Sequence, residues 1–231
     1  MPRRYLIVDD NVAFAENLAE IIADAGDAEA VVVDSGPRAL ELVKSQRFDA
    51  LVSDMRMPIM NGAELVHRIR SADPELPAVV VTAYTADNEL EAARQEGVLG
   101  VLPKPVPVPR LLDLLASARR NGIVALVEDD FELADNLTEA LRLRGFAAVT
   151  AHSVTETERL GVTPFAAIVD LRLPGGTDGE AMRRLAAKFP GLPMLVITAH
   201  DPNKSPLPSA GFFTKPFDTA ALLAAIERLH G

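Results

Sequence analysis

The sequence predicts an α/β protein made of two tandem doubly wound (βα)5 units, each with a five-stranded parallel sheet. Three observations carry that prediction. Short aliphatic runs alternate with helix-length amphipathic stretches along the whole chain, the pattern of parallel strands joined by helical crossovers. The segment LIVDDNVAFAENLAEIIADAG, from Leu6, aligns without gaps to ALVEDDFELADNLTEALRLRG, from Ala125, an offset of 119 residues. Self-similarity at that period marks duplication of a whole domain. The 231 residues, halved, give units of about 115, a usual size for a compact domain with its own core.

Taken in order, the first half is expected to place strands near 4–8, 29–33, 49–53, 78–82 and 99–102, where the aliphatic runs fall. Helices are expected near 12–25, 36–46, 62–72, 87–96 and 107–119, with their Leu and Ala stripes forming core. Ser35 before Gly36-Pro37 starts a helix well, since Ser can cap and Pro suits an early helical position. Gly26 and Gly145, at equivalent places, read as helix stops. The junction falls between Ser117 and Gly122, which predicts domains over 1–120 and 121–231. The second half repeats the plan with strands near 123–127, 147–151, 165–169, 193–197 and 211–213. Its fourth helix is expected to be shortened or absent, because Pro202, Pro206 and Pro208 remove helix donors and clash with the preceding turn.

Composition narrows the function. The chain is 48% hydrophobic with few aromatics, as suits a globular protein rich in aliphatic strands. A formal net charge of −10 opposes phosphate backbones and argues against direct nucleic-acid binding. With no Cys there is no disulfide and no thiol catalysis. No run is long enough to span a membrane, and the N-terminal aliphatic run stops at Asp9, too short for a signal peptide. A cytoplasmic protein is expected.

One constellation occurs twice. Asp9-Asp10, Asp54, Thr82 and Lys104 in the first half match Glu128-Asp129, Asp170, Thr198 and Lys215 in the second. Asp54 to Thr82 and Asp170 to Thr198 are both 28 residues. Each residue closes an aliphatic run, so in an open parallel sheet all would converge on the crevice at the carboxyl ends of the strands. Three carboxylates within about 4–6 Å repel by roughly 2–4 kcal/mol per pair at an effective dielectric near 20, so a cation is expected. All-oxygen ligation with open positions suits Mg²⁺. An Asp beside such an ion can attack phosphorus and form an aspartyl-phosphate. Lys104 and Thr82 can supply the fixed ammonium and hydroxyl that the new phosphoryl oxygens need.

With these residues the chain resembles, in each half, the receiver domain of bacterial two-component response regulators. The first half carries the acidic pair, D-M-R-M-P with Gly62 eight residues past Asp54, V-T-A and L-P-K-P. The second carries V-E-D-D, D-L-R-L-P-G, I-T-A and T-K-P. The resemblance implies a flavodoxin-like fold and phosphoryl transfer onto Asp54 and Asp170 from a histidine kinase or histidine phosphotransfer protein. It implies direct Mg²⁺ binding by Asp10 and Asp129 together with Asp54 and Asp170, assistance from Asp9 and Glu128, and main-chain carbonyl ligands at Arg56 and Arg172. Phosphorylation would control protein–protein interaction, the protein being a phosphoacceptor that assists its own phosphorylation and dephosphorylation rather than an enzyme. After the last helix only Gly231 remains, so a receiver-only protein is expected, the alternative being a receiver fragment of a larger hybrid kinase or regulator.

Two departures stand out. Receivers usually carry an aromatic residue three positions before the Lys; Phe212 fills that place in the second half and Val101 in the first. The second half has one extra residue before its Gly, at Gly179, and a shortened fourth-helix region. Any homodimer is therefore expected to use the fourth-helix face of the first domain. Tyr84 and His200, each two residues past the Thr, read as loop residues. Other readings fit less well. A flavin-binding module would need a Gly- or hydroxyl-rich phosphate loop where V-D-D-N stands. A phosphatase of the haloacid-dehalogenase kind would need a second Asp where Arg56 and Arg172 stand.

Overall fold

In a computed structural model, the chain is described over residues 2–83, 88–199 and 207–231, with the backbone alone at 88 and 89. It divides into two compact units, Met1–Asn121 and Gly122–Gly231. The first unit runs β1 (Arg3–Val8), α1 (Val12–Ala25), β2 (Ala28–Val33), α2 (Gly36–Ser45), β3 (Ala50–Asp54), α3 (Gly62–Ala72), β4 (Ala78–Thr82), α4 (Asn88–Gln95), β5 (Gly100–Pro103) and α5 (Val108–Ser117). The second runs β6 (Ile123–Val127), α6 (Phe131–Arg142), β7 (Ala147–Ala151), α7 (Val154–Thr157), β8 (Ala166–Asp170), α8 (Glu180–Lys188), β9 (Met194–Thr198), β10 (Gly211–Thr214) and α9 (Thr219–His230).

Both sheets are five-stranded and wholly parallel, ordered β2-β1-β3-β4-β5 and β7-β6-β8-β9-β10. This is the flavodoxin-like doubly wound topology, in which the chain reverses direction across the sheet beside its first strand. The strands read as continuous aliphatic runs because both faces are covered. In β1, Leu6 and Val8 face α2 and α3, packing with Ala39, Val43, Leu65 and Ile69. Tyr5 and Ile7 face the other way, toward Leu18 and Ile22 of α1 and Leu111 and Leu115 of α5. The second unit repeats the division, with Ala125 and Val127 against α8 and Val124 and Leu126 against α6 and α9. Four apolar layers, two per sheet, thus hold the strand ends in place.

Side chains cap several of the helix starts. Asn11, Asn61 and Asp130 cap α1, α3 and α6 by accepting the N–H groups of Phe14, Glu64 and Leu133. Ser35 stands at the start of α2 with Pro37 behind it, yet its hydroxyl makes no cap. It donates to the neighbouring Asp34 carboxylate at 3.0 Å, a charge-assisted hydrogen bond. The expected helix stops hold in position: α1 ends directly before Gly26 and α6 three residues before Gly145.

The second unit's second helix, expected in full from the repeat, is a single turn, α7. Gly161, Thr163 and Pro164 follow it, and Pro cannot continue a helix while Gly and β-branched residues weaken one. Leu160 and Val162 instead fill the core from irregular chain. The expected loss of the fourth helix falls mostly on residues 200–206, which include Pro202 and Pro206 and lie outside the described residues. Pro208 is described and is not helical.

A partly buried arginine ties the first unit together at the opposite end from the crevice. Arg70, in the last turn of α3, donates to the carbonyls of Pro74 (3.0 Å), Leu76 (2.6 Å), Glu96 (3.2 Å) and Gly97 (3.0 Å). It thereby joins α3 to the approach to β4 and to the end of α4. Burial pulls its guanidinium down to about 10, against the opposing charges of Glu96 and Asp73. Removing it leaves carbonyls buried without donors, which costs roughly 1–3 kcal/mol for each one left unpaired. Arg70→Ala is expected to lower the stability of the first unit by about 2–4 kcal/mol in urea denaturation. Arg70→Lys should recover less than half, since an ammonium cannot reach four carbonyls with a planar fork.

Candidate functional site

Strand register assembles the site. Val8 lies level with Ser53, so Asp9 and Asp54 end neighbouring strands side by side. Asp54 lies level with Val81, and Thr82 with Pro103, which brings Thr82 and Lys104 to the same edge. The second sheet does the same: Val127 pairs with Val169, Asp170 with Ile197 and Thr198 with Thr214. The ladder continues past the strands, through Asp9 N–H to Val33 O, Met55 N–H to Val81 O and Lys104 N–H to Thr82 O. Asp9, Asp54, Thr82, Glu128, Asp170 and Thr198 are all buried, whereas Asp10 and Asp129 stand exposed at the mouth.

In the first unit the Lys104 ammonium lies between two carboxylates, 2.8 Å from Asp9 Oδ2 and 2.9 Å from Asp54 Oδ1. The remaining oxygens accept main-chain N–H groups, Asp9 Oδ1 from Asn11 (2.9 Å) and Asp54 Oδ2 from Arg56 (3.2 Å). Lys104 Nζ also stands 4.5 Å from the centre of the Phe14 ring, a cation–π contact. In the second unit Lys215 grips more tightly. Its ammonium lies 2.9 and 2.7 Å from the two oxygens of Glu128 and 2.7 Å from Asp170 Oδ2. Asp170 Oδ1 accepts the Arg172 N–H at 3.1 Å.

Burial and pairing oppose each other here. Burial pushes the Asp54 carboxyl above its ordinary value, against the hydrogen bond and charge of Lys104, and Asp9 adds to the rise. Glu128 is raised for the same reasons, with Lys215 opposing and Asp170 adding. Burial pulls both lysines down, but hydrogen bonds and charges from their carboxylate partners outweigh it and hold them above the ordinary value.

Glycines shape the wall behind Asp54 and Asp170. A Cβ on Gly62 would stand 2.5 Å from Asp54 O and 3.1 Å from Met55 Cα, so only Gly allows α3 to start so close to the end of β3. Gly62 N–H donates to Met55 O at 2.8 Å. Gly179 N–H donates to Leu171 O at 2.7 Å, the equivalent bond, and it takes the left-handed φ of 69°. The extra residue of that loop is thus absorbed before α8 starts.

The donor chemistry fits a hard cation. Asp9, Asp10 and Asp54 each offer an oxygen within 4.8 Å of the others, as do Glu128, Asp129 and Asp170. All-carboxylate groups of this kind suit Mg²⁺, Mn²⁺ or Ca²⁺ better than the softer metals.

The acidic residues and the lysine of each half therefore come together, and the main-chain N–H groups of Arg56 and Arg172 donate to Asp54 and Asp170. Tyr84 and His200 lie outside the described residues. Val101 is partly buried against the core, whereas Phe212 on β10 is 42% exposed. Three features were not read from the sequence. Phe14 over Lys104 looks like one more apolar residue of a helix stripe. The two-oxygen grip of Lys215 on Glu128 depends on one additional methylene. His152, whose Nδ1 lies 2.8 Å from Glu128 O, sits in a turn with no sequence signal.

The fold is that of receiver domains in two-component signalling, and comparison with known proteins agrees. Residues 5–116 match the response regulator receiver domain family. The chain is 65% identical, over 99% of its length and 95% of the relative's, to the response regulator receiver protein Anae109_2439 of Anaeromyxobacter sp. (strain Fw109-5). It is 33% identical to the response regulator protein FleR of Pseudomonas aeruginosa, over 69% of this chain and 35% of FleR. Among solved structures, chemotaxis protein CheY4 of Vibrio cholerae superposes with a TM-score of 0.47 at 30% identity, over 50% of this chain and 98% of CheY4. The chain belongs to the response regulator receiver family.

Because folding raises the Asp54 pKa, its proton is held more tightly in the folded chain. That contribution is complete below the ordinary carboxylate value and is lost as pH rises through the raised one, so at neutral pH the ionised group opposes folding. Asp54→Asn in metal-free buffer is expected to raise the first unit's melting temperature by about 2–5 °C at neutral pH. The gain should vanish below about pH 4, where Asp54 is protonated whether folded or not. A lower melting temperature at neutral pH would refute this account.

Proposed function

We propose that this chain carries two receiver domains in tandem, over residues 1–120 and 121–231, and accepts phosphoryl groups on both Asp54 and Asp170. The observation that supports the reading most is the double occurrence of one geometry: a buried carboxylate at a strand end, salt-bridged to a lysine from another strand, beside an exposed acidic residue. The donor is a phosphohistidine on a histidine kinase or histidine phosphotransfer protein. An oxygen of Asp54 or Asp170 bonds to phosphorus as the bond from phosphorus to the imidazole nitrogen breaks; the electron pair stays on that nitrogen of a ring protonated at its other nitrogen, leaving an acyl phosphate and a neutral histidine. Lys104 or Lys215 shifts from its carboxylate partners to the new phosphoryl oxygens, and Thr82 or Thr198 offers its hydroxyl. Asp10, Asp54 and the Arg56 carbonyl, with Asp9 assisting, would hold Mg²⁺ in the first domain. Asp129, Asp170 and the Arg172 carbonyl, with Glu128 assisting, would hold it in the second. The ion supplies charge neutralisation for the incoming phosphoryl group.

On this reading the protein is a cytoplasmic signalling switch or relay that acts through protein–protein contacts, rather than an enzyme with its own substrate or a binder of nucleic acid. Among the described residues no helix is long and apolar enough to cross a membrane. Incubation with phosphoramidate and Mg²⁺, followed by intact-mass measurement, is expected to give two phosphoryl additions. Asp54→Asn and Asp170→Asn should each remove one, and the double variant both. Additions that survive the double variant would sink the assignment.

Any self-association is proposed to run through α4, β5 and α5 of the first unit, because no helix lies between β9 and β10 among the described residues of the second. Arg94, with its exposed side chain on α4, gives a test. Arg94→Glu is expected to shift a dimer toward monomer in sedimentation velocity, and an unchanged distribution from a chain that does dimerise would exclude this face.

A further inference from the structure

We propose that His152 is a positioning residue for the second acidic site, holding the turn that carries Asp129 in place for a divalent cation. The inference rests on the metal-binding reading above. His152 directly follows β7, and its Nδ1 lies 2.8 Å from the main-chain oxygen of Glu128. A carbonyl only accepts, so Nδ1 carries the proton and donates. The Glu128 carbonyl belongs to the peptide unit that leads into Asp129. Fixing that oxygen fixes the plane from which the exposed Asp129 side chain projects.

The same ring stacks on Phe131, with centroids 4.1 Å apart and planes at 29°. Phe131 is the first residue of α6. One imidazole thus grips both ends of the acidic turn, the end of β6 by a hydrogen bond and the start of α6 by a ring contact. His152 is itself held, because its main-chain N–H donates to Glu156 Oε2 at 2.8 Å. Glu128 completes the frame by accepting the Asp130 N–H at 3.2 Å and by donating its own N–H to Ala151 O at 3.0 Å.

Among the described residues the first unit shows no such device. Asp34 stands where His152 does, directly before the Ser that opens the next helix, and its carboxylate turns to Ser35 (3.0 Å) and Arg38 (3.3 Å). Val12 stands where Phe131 does. The latch belongs to the second site alone, where Glu replaces the first Asp of the pair and Lys215 occupies both of its oxygens. With Glu128 so engaged, cation binding leans more on Asp129, and the orientation of that residue matters more. Groups that orient metal ligands from behind typically change affinity by 10–100-fold when removed.

The test is a Mg²⁺ titration of the full chain followed by amide NMR, reading residues around Asp129 and Asp170 for the second site and around Asp10 and Asp54 as an internal control. His152→Ala is expected to weaken Mg²⁺ binding at the second site roughly tenfold and to leave the first unmoved. His152→Asn, which keeps a side-chain N–H donor, should recover most of the loss, and Phe131→Leu should cause a smaller one. A merely structural role would lower the melting temperature without this site-resolved pattern of loss and rescue. Unchanged second-site affinity in His152→Ala would overturn the proposal, as would an Asn variant no better than Ala. If His152→Ala does not fold, the Asn and Leu variants decide: near-normal affinity in Asn with a measurable loss in Leu is expected, and no change in Leu overturns the latch. Absence of any saturable second-site response in the unaltered chain, or one that survives Asp129→Ala, would instead bring down the metal-binding reading itself.

Discussion

The ammonium group shared between carboxylates at the carboxyl edge of each sheet is the interaction on which the rest depends. Two carboxylates within 4.8 Å of each other repel by about 3–4 kcal/mol at an effective dielectric of 20, and burial raises the cost. Lys104 and Lys215 offset it by bridging Asp9 with Asp54 and Glu128 with Asp170. On the proposed reading this bridge is exchanged, a divalent cation and a phosphoryl group replacing each partner in turn. Four apolar layers and the parallel ladders make that exchange local, because they keep the strand ends fixed while the charges rearrange.

The two sites share a plan and differ in restraint. At the first, one carboxylate oxygen from each partner meets the ammonium and a phenyl ring lies beside it. At the second, three oxygens surround the ammonium and the acidic turn is tied to the neighbouring loop. The differences come from a few substitutions between the halves: Glu128 for Asp, Phe131 for Val, His152 for Asp and Leu133 for Phe. Duplication supplied the scaffold, and those side chains gave each copy its own electrostatic character.

Much of this was legible in the sequence. Aliphatic runs closed by a carboxylate, a Thr or a Lys locate both strands and site, because a parallel strand buried on two faces has nowhere else to put a charge than its end. The internal repeat made that reading stronger than any single motif. What escaped depended on contacts between distant segments or on competition between nearby ones. The hydroxyl of Ser35 donates to a carboxylate and makes no cap, and α7 stopped after one turn once Leu160 and Val162 could fill the core without it. Arg70 reads as a surface residue of a polar helix face, and only the fold shows four carbonyls converging on it. His152 gives no periodic or compositional sign at all.

The salt bridges that complete each site close very long loops: Lys104 lies 95 residues after Asp9, and Lys215 87 residues after Glu128. During synthesis the acidic residues of a unit emerge early and stay without their counter-ion until nearly the whole unit has been made. A partly made unit is a cluster of repelling charges on unpaired strand edges, so each site comes into being late and together with its fold. The order of the chain also staggers the two sites in time. The first can be complete while the second exists only as its acidic turn, so a ribosome-bound chain passes through a stage with one lysine-bridged acidic site and not two.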